Sequence, residues 1–248
     1  DVNNLRTSVL PGLEYVGNAI AETVKQLDGR VPVIGFAGAP WTLATYMVEG
    51  RSSKKFKIIK TLLYSRPELL ESLLERITAE TVEYLAMQVE AGADILQIFD
   101  SWGGILTPAA FERFSLAPMK NVISGVKARF PDIPVIAFSK GARTHLTELA
   151  ESGADVLSLD WMVDLGQARE VTKKQVALQG NLDPAILLTD PAVIERETRQ
   201  MLHSFGTAPG HIANLGHGIT PDVPVENARS FVETVKVSSA KYHQTIEQ

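Results

Sequence analysis

Three tryptophans, Trp41, Trp102 and Trp161, stand just beyond short apolar runs, and Phe36, Phe99 and Phe138 close three such runs. Tyr46, Asp100, Ser101, Lys140, Asp160, Gln179, Asn181 and His217 fall in the same places. Aromatic walls with a few placed polar groups suit a flat or bulky organic ligand. The hydroxyls of Tyr46 and Ser101 and the imidazole of His217 can all donate to it. His217 is flanked by Gly216 and Gly218, so its backbone can take unusual angles and its ring can reach out. Each residue also has a plainer reading. A tryptophan in such a place fills the top of a barrel, and Asp100 and Asp160 serve equally as buried carboxylates that accept backbone N–H bonds. His145, His203, His211 and His243 form no pattern, and no pair has metal-ligand spacing, so no metal site is expected.

The elements that must carry these groups read as strands alternating with helices. Val31, Val33, Ile34 and Phe36 form a short buried strand, with the strand proper at Val33 to Ala37. Gly35 and Gly38 let the chain turn sharply, and Pro40 opens a helix, where its missing N–H is not needed. Leu13 to Leu27 is an amphipathic helix stopped by Gly29. Arg51, Ser52, Ser53, Lys54 and Lys55 form a polar, basic loop, followed by a short helix from Phe56 to Leu63 and a long one from Pro67. Strands follow at Ile95 to Phe99, Val135 to Phe138, Val156 to Leu159, Val176 to Leu178 and Ile212 to Leu215. Helices are expected from Pro108 to about Ala128, Leu146 to Ala150, Ala192 to Phe205 and from Pro224 onward. Ala91-Gly92-Ala93-Asp94 and Ser152-Gly153-Ala154-Asp155 repeat one device: a glycine closes a helix and the chain passes at once into a buried strand.

Alternation of this kind implies a parallel sheet. The six strands visible are two short of a closed (β/α)8 TIM barrel, whose ligands sit at the C-terminal strand ends. The expectation is therefore a single α/β barrel domain over residues 1–248 whose N-terminal units are missing, a view that the start at Asp1 rather than methionine favours. With 45% hydrophobic and 21% charged residues the chain has the composition of a globular domain. Its net charge of −5 argues against general nucleic-acid binding. No apolar run approaches a membrane span and no signal peptide is seen. The absence of cysteine removes disulfides, thiolate metal sites and cysteine nucleophiles.

The runs GFAGAPWTLATYMVEG, FDSWGG, LDW, LQGNLDP and NLGHGITPDVP, in this order and from about Arg30 to Val235, resemble the uroporphyrinogen decarboxylase family. The resemblance implies a TIM barrel working as a homodimer, cytoplasmic or in a plastid stroma, without a cofactor, in the biosynthesis of haem and chlorophyll. Its substrate would be uroporphyrinogen III, whose four acetate side chains become the methyls of coproporphyrinogen III. Carried over by motif, Tyr46, Ser101 and His217 line the substrate cleft and bind its carboxylates or pyrroles, with Phe36 and Gly38 in the same wall. His217 and Tyr46 are the candidates for proton transfer. The family's R-Q-A-G-R motif and its aspartate that meets the pyrrole N–H groups do not appear, so the resemblance covers the C-terminal two-thirds of the enzyme. Arg51 stands where the family continues a glycine run. It would change loop mobility or touch a carboxylate.

The substrate's carboxylates call for a locally positive cleft, with Lys140 and Arg143 as candidates. Two other readings compete. A zinc- and cobalamin-linked methyltransferase of the same fold needs a cysteine that this chain lacks. A porphyrinogen-binding remnant without activity is the other, since a barrel short of two strands has open edges. On that ground the isolated 248-residue chain is expected not to decarboxylate.

Overall fold

A computed structural model describes residues 10–50 and 55–242 together with Leu5 and Ser8. Arg51, Ser52, Ser53, Lys54 and His243, read above, lie outside the described residues. The chain is an α/β fold: among the described residues six strands alternate with helices, and the strand pairs within each of two compact units run parallel. One unit comprises the chain up to Ala142 with Glu151–Asp155, the other Arg143–Ala150 with the chain from Val156 onward.

The first unit holds α1 (Glu14–Leu27), β1 (Ile34–Gly38), α2 (Pro40–Glu49), α3 (Lys57–Ser65), α4 (Pro67–Glu90), β2 (Ile95–Asp100), α5 (Pro108–Phe111), a π-turn (Glu112–Leu116), α6 (Ala117–Arg129) and β3 (Val135–Ser139). Pro40 and Pro67 occupy the first positions of α2 and α4, where a fixed φ favours the helix and no N–H is lost. Leu70, Leu73, Leu74, Ile77 and Leu85 form the buried stripe of α4. The strands pair in the order β1–β2–β3, with Gly38 beside Phe99, Phe99 beside Phe138 and Asp100 beside Ser139, so their C-terminal ends lie level. Gln88 of α4 accepts from the Phe36 N–H (2.8 Å) and donates to the Phe36 carbonyl (2.9 Å), completing one residue of β1 as a neighbouring strand would.

The repeated device has a common geometry. Gly92 and Gly153 take positive φ (102° and 90°), which a glycine adopts without steric cost. Asp94 and Asp155, two residues on, each accept the backbone N–H that starts a neighbouring strand, from Val33 (2.7 Å) and Val135 (2.8 Å).

The second unit holds α7 (Leu146–Ala150), β4 (Val156–Ser158), α8 (Leu165–Val171), β5 (Ala177–Leu182), α9 (Pro191–Phe205), β6 (His211–Leu215) and α10 (Val225–Ser239). β5 lies between β4 and β6, with Ser158 beside Gln179 and Leu182 beside Leu215.

Three expectations need correction, and one element is added to them. The segment Val31 to Phe36 is not buried throughout. Gly35 and Ala37 face inward, where a Cβ on Gly35 would meet Gln88, Leu96 and Ala93, but alternate residues point away: Ile34 is 42% and Phe36 59% exposed. β5 does not end at Leu178 but continues to Leu182, because its ladder with β6 runs on through Gln179, Gly180 and Asn181. The helix from Pro108 is interrupted by the π-turn and ends at Arg129. Helix α8 was not foreseen. Its signal is Asp164, whose carboxylate accepts the Gln167 N–H at 2.8 Å as an N-cap.

Candidate functional site

In the first unit the three phenylalanines form a row across the strand ends. Phe36 and Phe99 meet edge-to-face at 5.8 Å, and Phe99 and Phe138 at 5.9 Å. Phe36, Gly38 and Tyr46 share the wall of a cavity of about 660 Å³, joined by Leu43 and Met47 of α2 and by Tyr84 of α4. Burial pushes the Tyr84 phenol up from its ordinary value. The α4 contribution went unseen because a polar residue in an amphipathic helix reads as a solvated position. Ser101, half-buried beyond β2, is not among the cavity's lining residues. Its neighbour Trp102 lies edge-on to the Tyr46 ring at 6.4 Å, and its carbonyl accepts from Trp41 Nε1 at 3.0 Å. Trp41 is fully buried and serves the core, the plainer of its two readings.

Asp100 is fully buried at the end of β2. Its Oδ1 accepts from Thr42 Oγ1 (2.7 Å), and its Oδ2 from Ser115 Oγ (2.5 Å) and Ser139 Oγ (3.1 Å). Burial drives its pKa above the ordinary carboxylate range; the hydroxyls and the Trp102 N–H oppose that shift without cancelling it. Asp100 thus faces neighbouring hydroxyls within the fold. Lys140, half-buried beyond β3, accepts from the Gly104 N–H through its carbonyl (3.0 Å) and donates its own N–H to the Asp100 carbonyl (3.0 Å).

In the second unit His217 is exposed, and its ring meets Trp161 edge-on at 6.3 Å. Gly216 packs so closely on the Trp161 backbone that a Cβ would stand 2.5 Å from the Trp161 nitrogen. Asp160 is buried and accepts the Met162 N–H at 2.9 Å, in agreement with the plainer reading. Asn181 is buried too, its amide donating to the carbonyls of Asp160 (2.7 Å) and Val163 (2.5 Å). Gln179 donates to Ser158 Oγ at 3.0 Å. Gln179 and Asn181 therefore stitch β4 and its exit to β5. His211 stacks on Phe205 at 4.5 Å and bonds the Gly180 carbonyl at 2.8 Å. Arg143 is exposed. Of the expected site residues, the first unit holds Phe36, Gly38, Tyr46 and Ser101, and the second holds His217.

Among the described residues no group of three or more His, Cys, Asp or Glu side chains is placed to hold a metal ion. No described helix is long and apolar enough to cross a membrane.

The family model for uroporphyrinogen decarboxylase (URO-D) matches residues 1–237. The uroporphyrinogen decarboxylase of Hahella chejuensis is 50% identical over 234 residues, a match that takes in 94% of this chain and 66% of that protein. The enzyme of the same name from Saccharophagus degradans is 48% identical over 237 residues, 95% of this chain and 67% of that protein. The chain thus spans about two thirds of the length of the curated relatives it matches. A solved methyltransferase from Methanosarcina mazei superposes with a TM-score of 0.78 over 90% of this chain and 63% of its own, at 24% identity, which is a likeness of fold. Matched by the family model from residue 1 to 237 and sharing about half its residues with these relatives, the chain belongs to the uroporphyrinogen decarboxylase family.

Proposed function

We propose that this chain takes part in removing the four acetate carboxyls of uroporphyrinogen III to give coproporphyrinogen III. What supports the reading is the match of residues 1–237 to the family model at about half identity to named decarboxylases. For each acetate the net change is one proton consumed, one CO₂ released and one methyl formed. Protonation of the pyrrole ring creates a cation. The bond between the acetate methylene and its carboxylate then breaks, its electron pair flows into the ring, and CO₂ leaves. A second proton converts the exocyclic methylene to methyl as the first is returned. A cation of this kind is stabilised by nearby negative charge, and the acetate must be held out of the ring plane by fixed donors.

Tyr46 and Ser101 hydroxyls and the His217 imidazole are the proposed donors to the substrate, with Phe36 and Gly38 as apolar wall. His217 and Tyr46 are the candidates to pass the proton. Lys140 is the proposed cation for a substrate carboxylate. One (β/α)8 barrel domain, a homodimer, a cytoplasmic or plastid setting and a reaction needing no cofactor go with this reading. Anaerobic incubation of the protein, as its natural gene expresses it, with uroporphyrinogen III tests it, the products being oxidised and separated by carboxyl number. Stepwise conversion to the four-carboxyl product is expected. Unchanged substrate in the presence of folded protein rejects the proposal.

A further inference from the structure

We infer that Asp100 is a positioning residue for the proposed reaction: its carboxylate ties the helix that carries Tyr46 to the turn that carries Ser101 and so sets the spacing of those two hydroxyls. The inference rests on the decarboxylase reading for the reaction and on geometry for the tie. Thr42 and Tyr46 lie one turn apart on α2. Thr42 Oγ1 donates to Asp100 and accepts the Trp102 N–H at 3.3 Å. Trp102 follows Ser101 directly, and its ring returns to Tyr46 at 6.4 Å. The path from Tyr46 through Thr42, Asp100 and Trp102 back to Tyr46 is thus closed.

The other carboxylate oxygen is held from two further elements, by Ser139 at the end of β3 and by Ser115. Ser115 belongs to the π-turn. One residue fewer in that turn would rotate position 115 by about 100° about the helix axis and away from Asp100. Gly103 completes the enclosure, since a Cβ there would stand 2.3 Å from both Asp100 Oδ2 and Ser139 Oγ.

Stability alone gives little reason for this arrangement. A carboxylate held only by neutral donors and fully buried carries a desolvation penalty that an apolar residue of similar size would not. Groups retained at such a cost cluster where a site needs fixed geometry.

The test compares Asp100→Ala, Asp100→Asn and Tyr46→Phe, with Asp100→Ala also made in the Tyr46→Phe background, all in the protein as its natural gene expresses it, by steady-state turnover of uroporphyrinogen III. Asp100→Ala is expected to lower kcat about 100-fold with KM changed less than about threefold. Asp100→Asn keeps the shape and an acceptor for Thr42, and is expected to recover about tenfold of that loss. In the Tyr46→Phe background Asp100→Ala should cost at least about threefold less than in the wild-type background, because one of the two hydroxyls whose spacing it sets is gone. Equal losses in both backgrounds, or wild-type kcat in Asp100→Ala, overturn the inference. If Asp100→Ala does not fold, Thr42→Val takes its place, cutting the path while leaving the carboxylate. An inactive wild-type protein rejects the decarboxylase reading instead. The tie is then read without turnover, from the NOE between selectively labelled Tyr46 and Trp102 rings. Its weakening in Thr42→Val supports the tie, and an unchanged NOE overturns it.

Discussion

Gly103→Ala is the sharpest structural test of how the turn after β2 is seated. The new Cβ would stand 2.3 Å from Asp100 Oδ2, 2.3 Å from Ser139 Oγ and 2.9 Å from a ring carbon of Phe111. A relaxed carbon–oxygen contact needs about 3.3 Å, so the shortfall is about 1 Å against two oxygens at once. Neither oxygen can retreat easily. Both belong to short, buried side chains at the ends of β2 and β3, and Asp100 Oδ2 is held by Ser115 Oγ as well. The turn cannot back away freely either, because the Gly104 N–H is bonded to the Lys140 carbonyl at 3.0 Å. Overpacking of this kind costs about 1–3 kcal/mol, and losing one of the hydrogen bonds adds about 1 kcal/mol. The expected loss is about 2–4 kcal/mol, or roughly 5–15 °C in Tm for a chain of this size. Urea unfolding followed by tryptophan fluorescence measures it, since Trp102 sits in the displaced turn. A variant within about 0.5 kcal/mol of wild type at unchanged m-value would show that the enclosure around Asp100 is looser than described.

Three further substitutions probe separate devices. Gln88→Ala strips the amide that bonds the Phe36 N–H and carbonyl; it should destabilise by about 1–3 kcal/mol and speed hydrogen exchange at the Phe36 amide, and unchanged exchange would show that β1 does not rely on Gln88. Asp164→Ala removes the N-cap of α8, at an expected cost of about 1 kcal/mol at pH 7. The Gln167 N–H and then Ser204 Oγ hold the Asp164 pKa below its ordinary value, so this contribution is present above the unfolded-state pKa and lost as pH falls through the folded one; a cost that does not shrink in acid would refute the linkage. Asp100→Asn reverses that sign. Burial raises the Asp100 pKa, so the folded state binds the proton more tightly, and wild-type stability falls as pH climbs from the ordinary carboxylate range through the raised value. Unfolding midpoints across that range should show the variant gaining on wild type as pH rises, and a constant difference would mean that Asp100 keeps its ordinary pKa.

What the sequence made legible has short range. Pro40 and Pro67 open their helices as expected, and the two Gly-x-Asp devices ending in Asp94 and Asp155 do the same job in both places, because a positive φ and a carboxylate two residues on are local requirements. The errors arose where the deciding partner is remote. Gln179 and Asn181 are expected just past a strand ending at Leu178, yet their partners on β4 and its exit hold them in a buried strand. Phe36 read as buried, yet the face it shares with Ile34 is exposed. Asp100 is the instructive case. Its type and place suited both a ligand-facing acid and a buried acceptor, and the choice between them rests on Thr42, Ser115 and Ser139, which lie 58, 15 and 39 positions away in three different elements. The π-turn that aims Ser115 has no mark in the residues Glu112 to Leu116 themselves. What the turn does is seen only in its remote partner, since Ser115 Oγ donates to the buried Asp100 carboxylate. The residue that resemblance brought forward was Ser101. The donors that hold the Asp100 carboxylate beside it become visible only in three dimensions.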